Sequence, residues 1–586
     1  MIYRIMGIIV VIGLVLRIII LQDLSLDQIS IGSLGIALTV GIFHDLLVGL
    51  VITTLFLSVA HLWPRAALPM LFCICFIVAI ASLADIFFWW EFEGRLNRLV
   101  FHYLLFPEEV LVFLEEQFFV SIFVLPFLIL VYGLFRLVKM EGELPKTSTT
   151  QIGLLLVVTA LVLVSAEPFS YSDSRKVNQL VSNGWLSLLQ DAVTDARKWH
   201  DQYWEPVEEE VSTIVLAENQ NQHKDGSLSE IRHVVLIVEE SFGGEVWRDS
   251  ELREKFLPNF SRLMREGLYF NHIYATGSRT TRGLEAILNG FPPLPGIAVT
   301  QRSGYKKLPS LPRALARNGF YNIFVYGGWP NFSNFSEYWE ALGYEEQTNR
   351  EDFDSAMFET SWGVSDEELF TKVCSEMERL TIANDRVFLT ALTVSHHRPF
   401  DIPEGRIPFP SGSRKSEYAL AYADWALGKF FLEASKEEWF DDTLFVVVSD
   451  HGPHISGDTP IPIDGFRVPM IFFSPGNISS GEVSRIGSTM SLGVTILDLL
   501  GIENEEGLYG SNLIYDTDQI TPVEHDYHVG LVSERGLTVL HRDGRVSSWE
   551  RANGNFSLDK IDYDEAAKAS KLFSRAHDWF YAEEGQ

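Results

Sequence analysis

Two strand tips carry the chemistry legible in this chain. The run HVVLIVE (233–239) ends in Glu239 and passes into Glu240 and Ser241, and TLFVVVS (443–449) opens into Asp450 and His451. Each run is continuously apolar, the pattern of a strand buried on both faces in a parallel sheet. In open α/β sheets the ligand crevice lies just beyond the carboxyl ends of such strands. Carboxylates and an imidazole placed there supply oxygen and nitrogen ligands for a divalent metal. Singly, either tip also reads as a solvated strand end or a polar turn. The two together favour a metal site.

A third stretch adds hydroxyls and guanidiniums. In YATGSRTTRGLEAILNG (274–290), Thr280 and Thr281 stand at the head of a helix-like segment, flanked by Arg279 and Arg282. Backbone amides and the dipole at a helix N-terminus favour anions, and flanking arginines suit a phosphate. One of the threonines serving only as an N-cap fits the same residues.

The elements that must hold these groups alternate along the chain. Strand-like and helix-like runs at 233–239, 251–266, 320–326, 365–384, 387–394, 415–435, 443–449, 469–474 and 491–500 imply a mostly parallel sheet covered by helices. Beyond 505 the pattern changes. GLTVLHRDGRVSSWE (536–550) reads as a hairpin turning at Asp543-Gly544, followed by a final amphipathic helix from Asp564. The isolated His454, His525 and His528 read as surface residues.

The 586 residues are too many for one ordinary domain. Net charge is −31, of which the first 166 residues contribute only −4. So acidic a remainder argues against a nucleic-acid partner, which needs Lys and Arg against phosphate. Of three cysteines, Cys73 and Cys75 sit in an apolar segment and Cys374 stands alone, so no disulfide framework exists. Cys374 reads as a structural helix residue.

The first 166 residues read as membrane. Apolar stretches cover 4–21, 31–62, 67–90, 118–138 and 151–166, each near the ~20 residues that span a bilayer, the last being short. Several spans in succession argue against a cleaved signal peptide. Arg4, Arg65, Arg136, Lys139 and Lys146 fall on one side of a five-span arrangement, which puts the N-terminus in the cytoplasm and the large C-terminal part outside. His44 and Asp45 interrupt the second stretch, as functional intramembrane groups or as a helix break. The aromatic loop 91–117 and Trp63, Trp89 and Trp90 fit the membrane interface. Residues 167–230 read as an amphipathic helix (Val177, Leu180, Val181, Trp185, Leu188) and a polar linker at 217–227.

In this order VEESF, TGSRTTRGLEA, SHHRPF, YADWALGKFF and VSDHG resemble the lipoteichoic acid synthase-like and phosphoglycerol transferase branch of the alkaline phosphatase/sulfatase superfamily. The resemblance implies four segments: a five-span α-helical membrane domain (1–166), the helix and linker (167–230), an extracytoplasmic α/β sulfatase-like domain (231–505) and a small α+β appendage (506–586). By position it makes Glu240, Thr280, Asp450 and His451 metal ligands. Thr280 is also the nucleophile, reading GSRT against the family's GTRT, with Thr281 the alternative. His397 matches the headgroup-binding histidine, with Arg279, Arg282 and Trp329 as further substrate contacts. The implied metal is manganese, with magnesium or zinc as alternatives. The implied partners are a membrane phospholipid donor and a glycan or lipid acceptor at the bacterial inner membrane, on its periplasmic face.

Departures bear on specificity. Trp329 stands where relatives often have an acid, and STMSLGVTILDLLG (488–501) carries Thr489, Ser491 and Val494 in place of the family's Gln, Asp and Pro. A hydrolase of sulfate or phosphate esters would use the same site with water as acceptor, though without obvious need of five spans. A formylglycine sulfatase is excluded, because Cys374 is followed by Ser-Glu-Met. Lipid A-type phosphoethanolamine transferases usually carry periplasmic disulfides, which one soluble cysteine cannot form. A non-catalytic scaffold would not need the complete set of site residues.

Overall fold

A computed structural model describes residues 2–582 except 23–30, 98–99, 101–110, 112–113, 116–118, 139–147, 166–170, 194–227, 229, 330–333, 354–357, 411, 413, 454–456, 518 and 553–554. Most of the interfacial loop 91–117, the linker 217–227 and His454 lie outside the described residues. The chain divides into two compact units, Met1–Lys198 with Ser456–Pro460, and Trp199–Ile455 with Ile461–Gln586.

In the first unit, four helical stretches among the described residues are long and apolar enough to cross a membrane: Tyr3–Gln22, Ile31–Leu62, Pro64–Phe92 and Val120–Val138. A fifth apolar helix, Thr149–Ser165, has 17 residues. The helix Ile31–Leu62 runs unbroken through His44 and Asp45, so the helix-break reading is corrected. What permits a charge there is compensation. Arg17 Nη1 lies 2.7 Å from Asp45 Oδ2, both side chains being at most 1% exposed. Asn183 Nδ2 donates to Asp45 Oδ1 at 2.8 Å, and Arg17 Nε donates to the Leu180 carbonyl at 2.8 Å. Asp85 is held likewise by Arg95 at 2.6 Å. The expected amphipathic helix is two, Arg175–Val181 and Gly184–Val193. The break between them frees Asn183 to reach Asp45.

Removing one partner of a buried pair strands the other charge, at a cost of about 3–5 kcal/mol, whereas replacing both with apolar residues is far milder. Arg17→Ala should therefore lower the unfolding temperature markedly in detergent-solubilised protein, and Arg17→Leu/Asp45→Leu should recover most of the loss. Equal melting of wild type and Arg17→Ala would mean water reaches the pair.

The second unit is built on an eight-stranded sheet. Its strands are β1 (His233–Glu239), β2 (Leu268–Tyr274), β3 (Tyr321–Tyr326), β4 (Glu346–Thr348), β7 (Val387–Leu392), β8 (Thr443–Ser449), β9 (Arg467–Phe473) and β10 (Gly481–Ser488). The short pair β5 (Glu359–Thr360) and β6 (Gly363–Val364) forms a separate hairpin. The order is β10-β2-β9-β8-β1-β7-β3-β4. Every pairing is parallel except those of β9, which runs against both neighbours. Among the described residues between β8 and β9 there is a 3-10 turn at Ile463–Phe466 and no crossover helix of the kind a parallel return needs. β1 lies mid-sheet, and Val234 to Val238 are fully buried between two layers of apolar side chains.

The helix expected over 251–266 is two, Ser250–Phe256 and Pro258–Glu266, because the residue before Pro258 is pushed out of helical conformation. Asp249 caps the first through the Glu251 and Leu252 amides. Asp424 caps the second from across the fold, accepting from Asn259 and Phe260. On the helix Asp366–Ala383, burial first, then Glu437 and Glu433, pushes the Cys374 thiol up to about 12. A raised thiol pKa means almost no thiolate at pH 8. We expect iodoacetamide at pH 8 to modify the Cys374 peptide at least a hundredfold more slowly in native than in urea-unfolded protein, read by peptide mass spectrometry.

Beyond the parallel sheet, β11 (Pro522–His525), β12 (His528–Ser533), β13 (Gly536–Leu540), β14 (Val546–Ala552) and β15 (Asn555–Asp559) form an antiparallel meander. The expected hairpin is its β13–β14 turn, where Gly544 takes φ +79°. The helix Tyr563–Tyr581 follows.

Candidate active site

Strand register assembles the site. β1 pairs with β8 so that Glu239 lies opposite Ser449, and the next residues, Glu240 and Asp450, come side by side. Each is then aimed by backbone amides. Ser241, forced to φ +52°, turns its amide onto Asp450 Oδ1 at 2.8 Å, and the His451 amide donates to the same oxygen at 2.7 Å. Asp450 Oδ1 is thereby fully engaged, while Oδ2 is buried with no hydrogen-bond partner. The Glu240 amide donates to Thr393 Oγ1 at 2.8 Å, and the Thr393 hydroxyl donates to Glu239 Oε2 at 3.1 Å. Glu239 thus faces inward under the site, and Glu240 faces the crevice.

His451 Nδ1 lies 2.8 Å from the Gly452 carbonyl, which can only accept. The proton therefore sits on Nδ1, and Nε2 presents its lone pair. Glu240, Asp450 and His451 each offer an atom within 4.8 Å of the others'. An orphaned buried carboxylate oxygen, a second carboxylate and an imidazole lone pair fit a divalent cation. Burial opposes ionisation of Glu240, but the neighbouring His397 imidazole and the Ser241 hydroxyl outweigh it and hold Glu240 well below the usual carboxylate range. Burial first, then the Glu240 charge, pushes Asp450 up to about 7. Two carboxylates this close resist joint ionisation until a cation lies between them.

The helix Thr280–Asn289 begins at Thr280, with Arg279 extended as its N-cap residue. The Thr280 hydroxyl donates to Glu240 Oε2 at 3.0 Å, so it lies at the Glu240–Asp450–His451 cluster and at a helix N-terminus together. Gly283 is what lets the helix come so near. A Cβ there would sit 2.5 Å from the Asp450 carbonyl oxygen.

Arg282 does not fit the phosphate contact expected of it. It is buried, and its guanidinium donates to Glu285 at 3.2 Å and to the Leu294 and Gly296 carbonyls at 2.6 and 2.7 Å. It fixes the loop after the helix instead. Arg279 stays half-buried at the helix mouth.

His397 Nε2 stands 3.3 Å from Glu240 Oε1 and lies flat on Trp362, with ring centroids 4.0 Å apart and 10° between planes. Trp362 sits in the β5–β6 turn and donates from Nε1 to the Arg398 carbonyl at 2.8 Å. Trp329, 40% exposed, donates from Nε1 to the Ser361 carbonyl at 3.2 Å beside it. His396, beside His397 in sequence, is buried beneath the site. Its Nδ1 donates to the Ser241 carbonyl at 3.0 Å, its Nε2 accepts from Ser416 Oγ at 2.9 Å, and burial lowers it to about 4.

Residues 232–502 match the Sulfatase family model. The chain carries a sulfatase-family domain. A relative, phosphoglycerol transferase I of Escherichia coli, is 25% identical over 281 residues, 45% of this chain and 37% of that protein. The chain thus spans little more than a third of that relative's length. Two solved structures share the fold. The lipoteichoic acid synthase LtaP of Listeria monocytogenes is 21% identical with a TM-score of 0.52, covering 62% of this chain and 95% of that one. The lipooligosaccharide phosphoethanolamine transferase A of Neisseria meningitidis, an integral membrane protein, is 15% identical with a TM-score of 0.56, covering 86% and 96%. The latter coverage extends the likeness into the apolar helices.

Within this sulfatase-family domain, sequence reasoning missed Ser241, Gly283, Thr393 and Trp362. The glycine three places after Thr280 was the one visible signal, since close helix–strand approach selects glycine. Ser241 carries its information in φ, and Trp362 in a stacking partner 35 residues away. His525 and His528, expected at the surface, are buried and half-buried in the β11–β12 hairpin.

Proposed function

We propose that this chain is a membrane-anchored, metal-dependent transferase. It moves a phosphoglycerol or similar headgroup from a phospholipid to a glycan or lipid acceptor through a phosphothreonine at Thr280. The observation that carries this reading is the Thr280 hydroxyl, 3.0 Å from Glu240 at the head of a helix and against the Glu240–Asp450–His451 cluster. The sulfatase-family match, the phosphoglycerol transferase relative and the apolar helices support it. The lysines and arginines gathered at one set of helix ends support an extracytoplasmic catalytic domain.

Glu240, Asp450, His451 and Thr280 would hold the divalent metal, which lowers the hydroxyl's pKa and neutralises phosphate charge; oxygen-rich ligands suit manganese. Glu240 takes the Thr280 proton's hydrogen bond and orients Oγ toward phosphorus. Thr280 Oγ gives up its proton and forms a bond to phosphorus as the bond from phosphorus to the diacylglycerol oxygen breaks, and that oxygen takes up one proton and leaves as the alcohol, so protons balance. The amides at the start of the helix, with Arg279, face the non-bridging oxygens. His397, fixed by Trp362, faces the headgroup. An acceptor hydroxyl then attacks phosphorus, giving up its proton, and Thr280 Oγ leaves and regains one.

The test is peptide mass spectrometry on detergent-purified full-length protein incubated with manganese and mixed bacterial phospholipids. The expected result is a phosphoglycerol mass on the peptide containing Thr280. A phosphoethanolamine mass would keep the transferase and change the donor. Lipid cleavage that releases the headgroup to water, with no adduct even in His397→Ala, would replace the transferase with a hydrolase.

A further inference from the structure

One residue reaches both carboxylates of the Glu240–Asp450–His451 cluster. Ser241 donates from its amide to Asp450 Oδ1 at 2.8 Å and from its hydroxyl to Glu240 Oε1 at 2.7 Å. The two acids leave different strands, so the pairing of β1 with β8 brings them side by side without setting the angle between their carboxyl planes. Ser241 sets it. Asp450 is left with Oδ2, buried and without a hydrogen-bond partner, and Glu240 with an Oε2 that accepts from Thr280.

This saddle is made from an unfavourable backbone. Ser241 has φ +52°, in the left-handed region that residues with a Cβ seldom enter. Relaxation to negative φ would rotate its amide off Asp450. Strain of this kind persists only where the surroundings over-determine it. The amide and hydroxyl bonds are two restraints, and His396 adds a third from the other side of the residue. Its Nδ1 lies 3.0 Å from the Ser241 carbonyl, which can only accept. Burial, at 3% exposure, keeps the ring neutral with one proton, and the carbonyl fixes that proton on Nδ1. Nε2 is left to accept from Ser416 Oγ at 2.9 Å. Ser416 is the first residue of the helix Ser416–Ala434, so the ring is tied to a rigid element.

We propose that His396 is a positioning residue for the metal: it pins the Ser241 carbonyl, and Ser241 so pinned aims Glu240 and Asp450 at one cation. This rests on the metal reading of the cluster and is independent of which group is transferred. The adjacent histidines of SHHRPF then have opposite tasks, His397 toward the crevice and His396 toward the backbone beneath it. Partners that orient metal ligands are worth about 10- to 100-fold in metal affinity. The two bonds of the ring can be separated. An asparagine amide reaches about where Nδ1 lies, and a glutamine amide about where Nε2 lies. His396→Asn therefore keeps a donor for Ser241 and gives up Ser416, and His396→Gln does the reverse. Each loses one hydrogen bond. A role in folding alone predicts equal damage from both, whereas the positioning role predicts loss of metal from Gln only.

The experiment uses full-length protein in detergent, stripped of metal, with manganese alone as the probe. Affinity is measured by calorimetry, ligand geometry by the electron paramagnetic resonance spectrum of the bound ion, and stability by thermal unfolding of the metal-free protein. We expect His396→Gln to bind manganese at least tenfold more weakly than wild type, with an altered zero-field splitting. His396→Asn should stay within threefold and keep the wild-type spectrum. The metal-free unfolding temperatures of the two variants should fall by similar amounts. At saturating manganese, diacylglycerol release from phosphatidylglycerol by His396→Gln should lose at least tenfold in kcat, with lipid KM within threefold.

Equal manganese affinities in the two variants, or wild-type affinity in His396→Gln, would overturn the proposal and leave the metal reading standing. Wild-type protein with no affinity for manganese, magnesium or zinc would overturn the metal reading and the proposal with it. Manganese bound with the expected dependence on His396, but with no diacylglycerol released, would overturn the transferase reading and leave the positioning role in place.

Discussion

Thr280→Ala should lose at least a thousandfold of headgroup transfer and all covalent adduct, while Thr281→Ala keeps its rate within about tenfold. On the proposed mechanism the substitution deletes an oxygen whose bond to phosphorus exists only along the reaction path, so the loss falls on kcat. The two threonines are adjacent in sequence, but on a helix adjacent residues point about 100° apart, so one metal cluster cannot use both. Thr280 is the one whose hydroxyl lies 3.0 Å from Glu240 Oε2. Thr280→Ser restores the oxygen without the methyl that fixes its rotamer, and should recover all but about a hundredfold or less. Rates of diacylglycerol release, with peptide mass spectrometry for the adduct, decide it. Manganese affinity measured by calorimetry separates loss of the nucleophile from loss of a ligand. An adduct persisting in Thr280→Ala and vanishing in Thr281→Ala would reverse the assignment.

The parts of this site legible in the sequence are those written in contiguous residues. β1 and β8 are buried on both faces, so their apolar runs are unbroken, and the acids that end them stand out. Thr280 was legible for the same reason, as a hydroxyl just before a helical run. The strands that escaped notice are polar or at the sheet's margin. β10 is exposed or half-buried until its last two residues, β4 has three residues, and β2 mixes Asn271 and His272 into its run. Chain direction in β9 was equally hidden, because it depends on the connection before it. Arg282 shows the limit from the other side. Its place beside Thr280 suggested phosphate, yet the helix turns its side chain inward to Glu285, one turn on. Which way a side chain points is set by the helix phase against the sheet. Composition and spacing do not record it.

The same phase makes Gly283 the most sensitive position that touches no substrate. Gly283→Ala should cut transfer by roughly a hundredfold or more with little loss of secondary structure. The added Cβ would stand 2.5 Å from the Asp450 carbonyl oxygen and 2.7 Å from the Asp450 Cβ. Neither atom can yield alone, since the Asp450 amide is bonded to the Glu239 carbonyl at 3.3 Å and its carboxylate to the Ser241 and His451 amides. The helix must therefore back away and carry Thr280 with it, from a hydroxyl–carboxylate contact that has little slack. A displacement of about 1 Å in a reacting group costs on the order of a hundredfold. The helix gains intrinsic propensity from alanine, about 1 kcal/mol, so a stability measurement alone would understate the damage. Thermal unfolding near wild type together with depressed transfer and weakened manganese binding is the expected pattern. Full activity in Gly283→Ala would show that the helix can shift without disturbing the nucleophile, and that the approach of helix to strand does not set the reacting geometry.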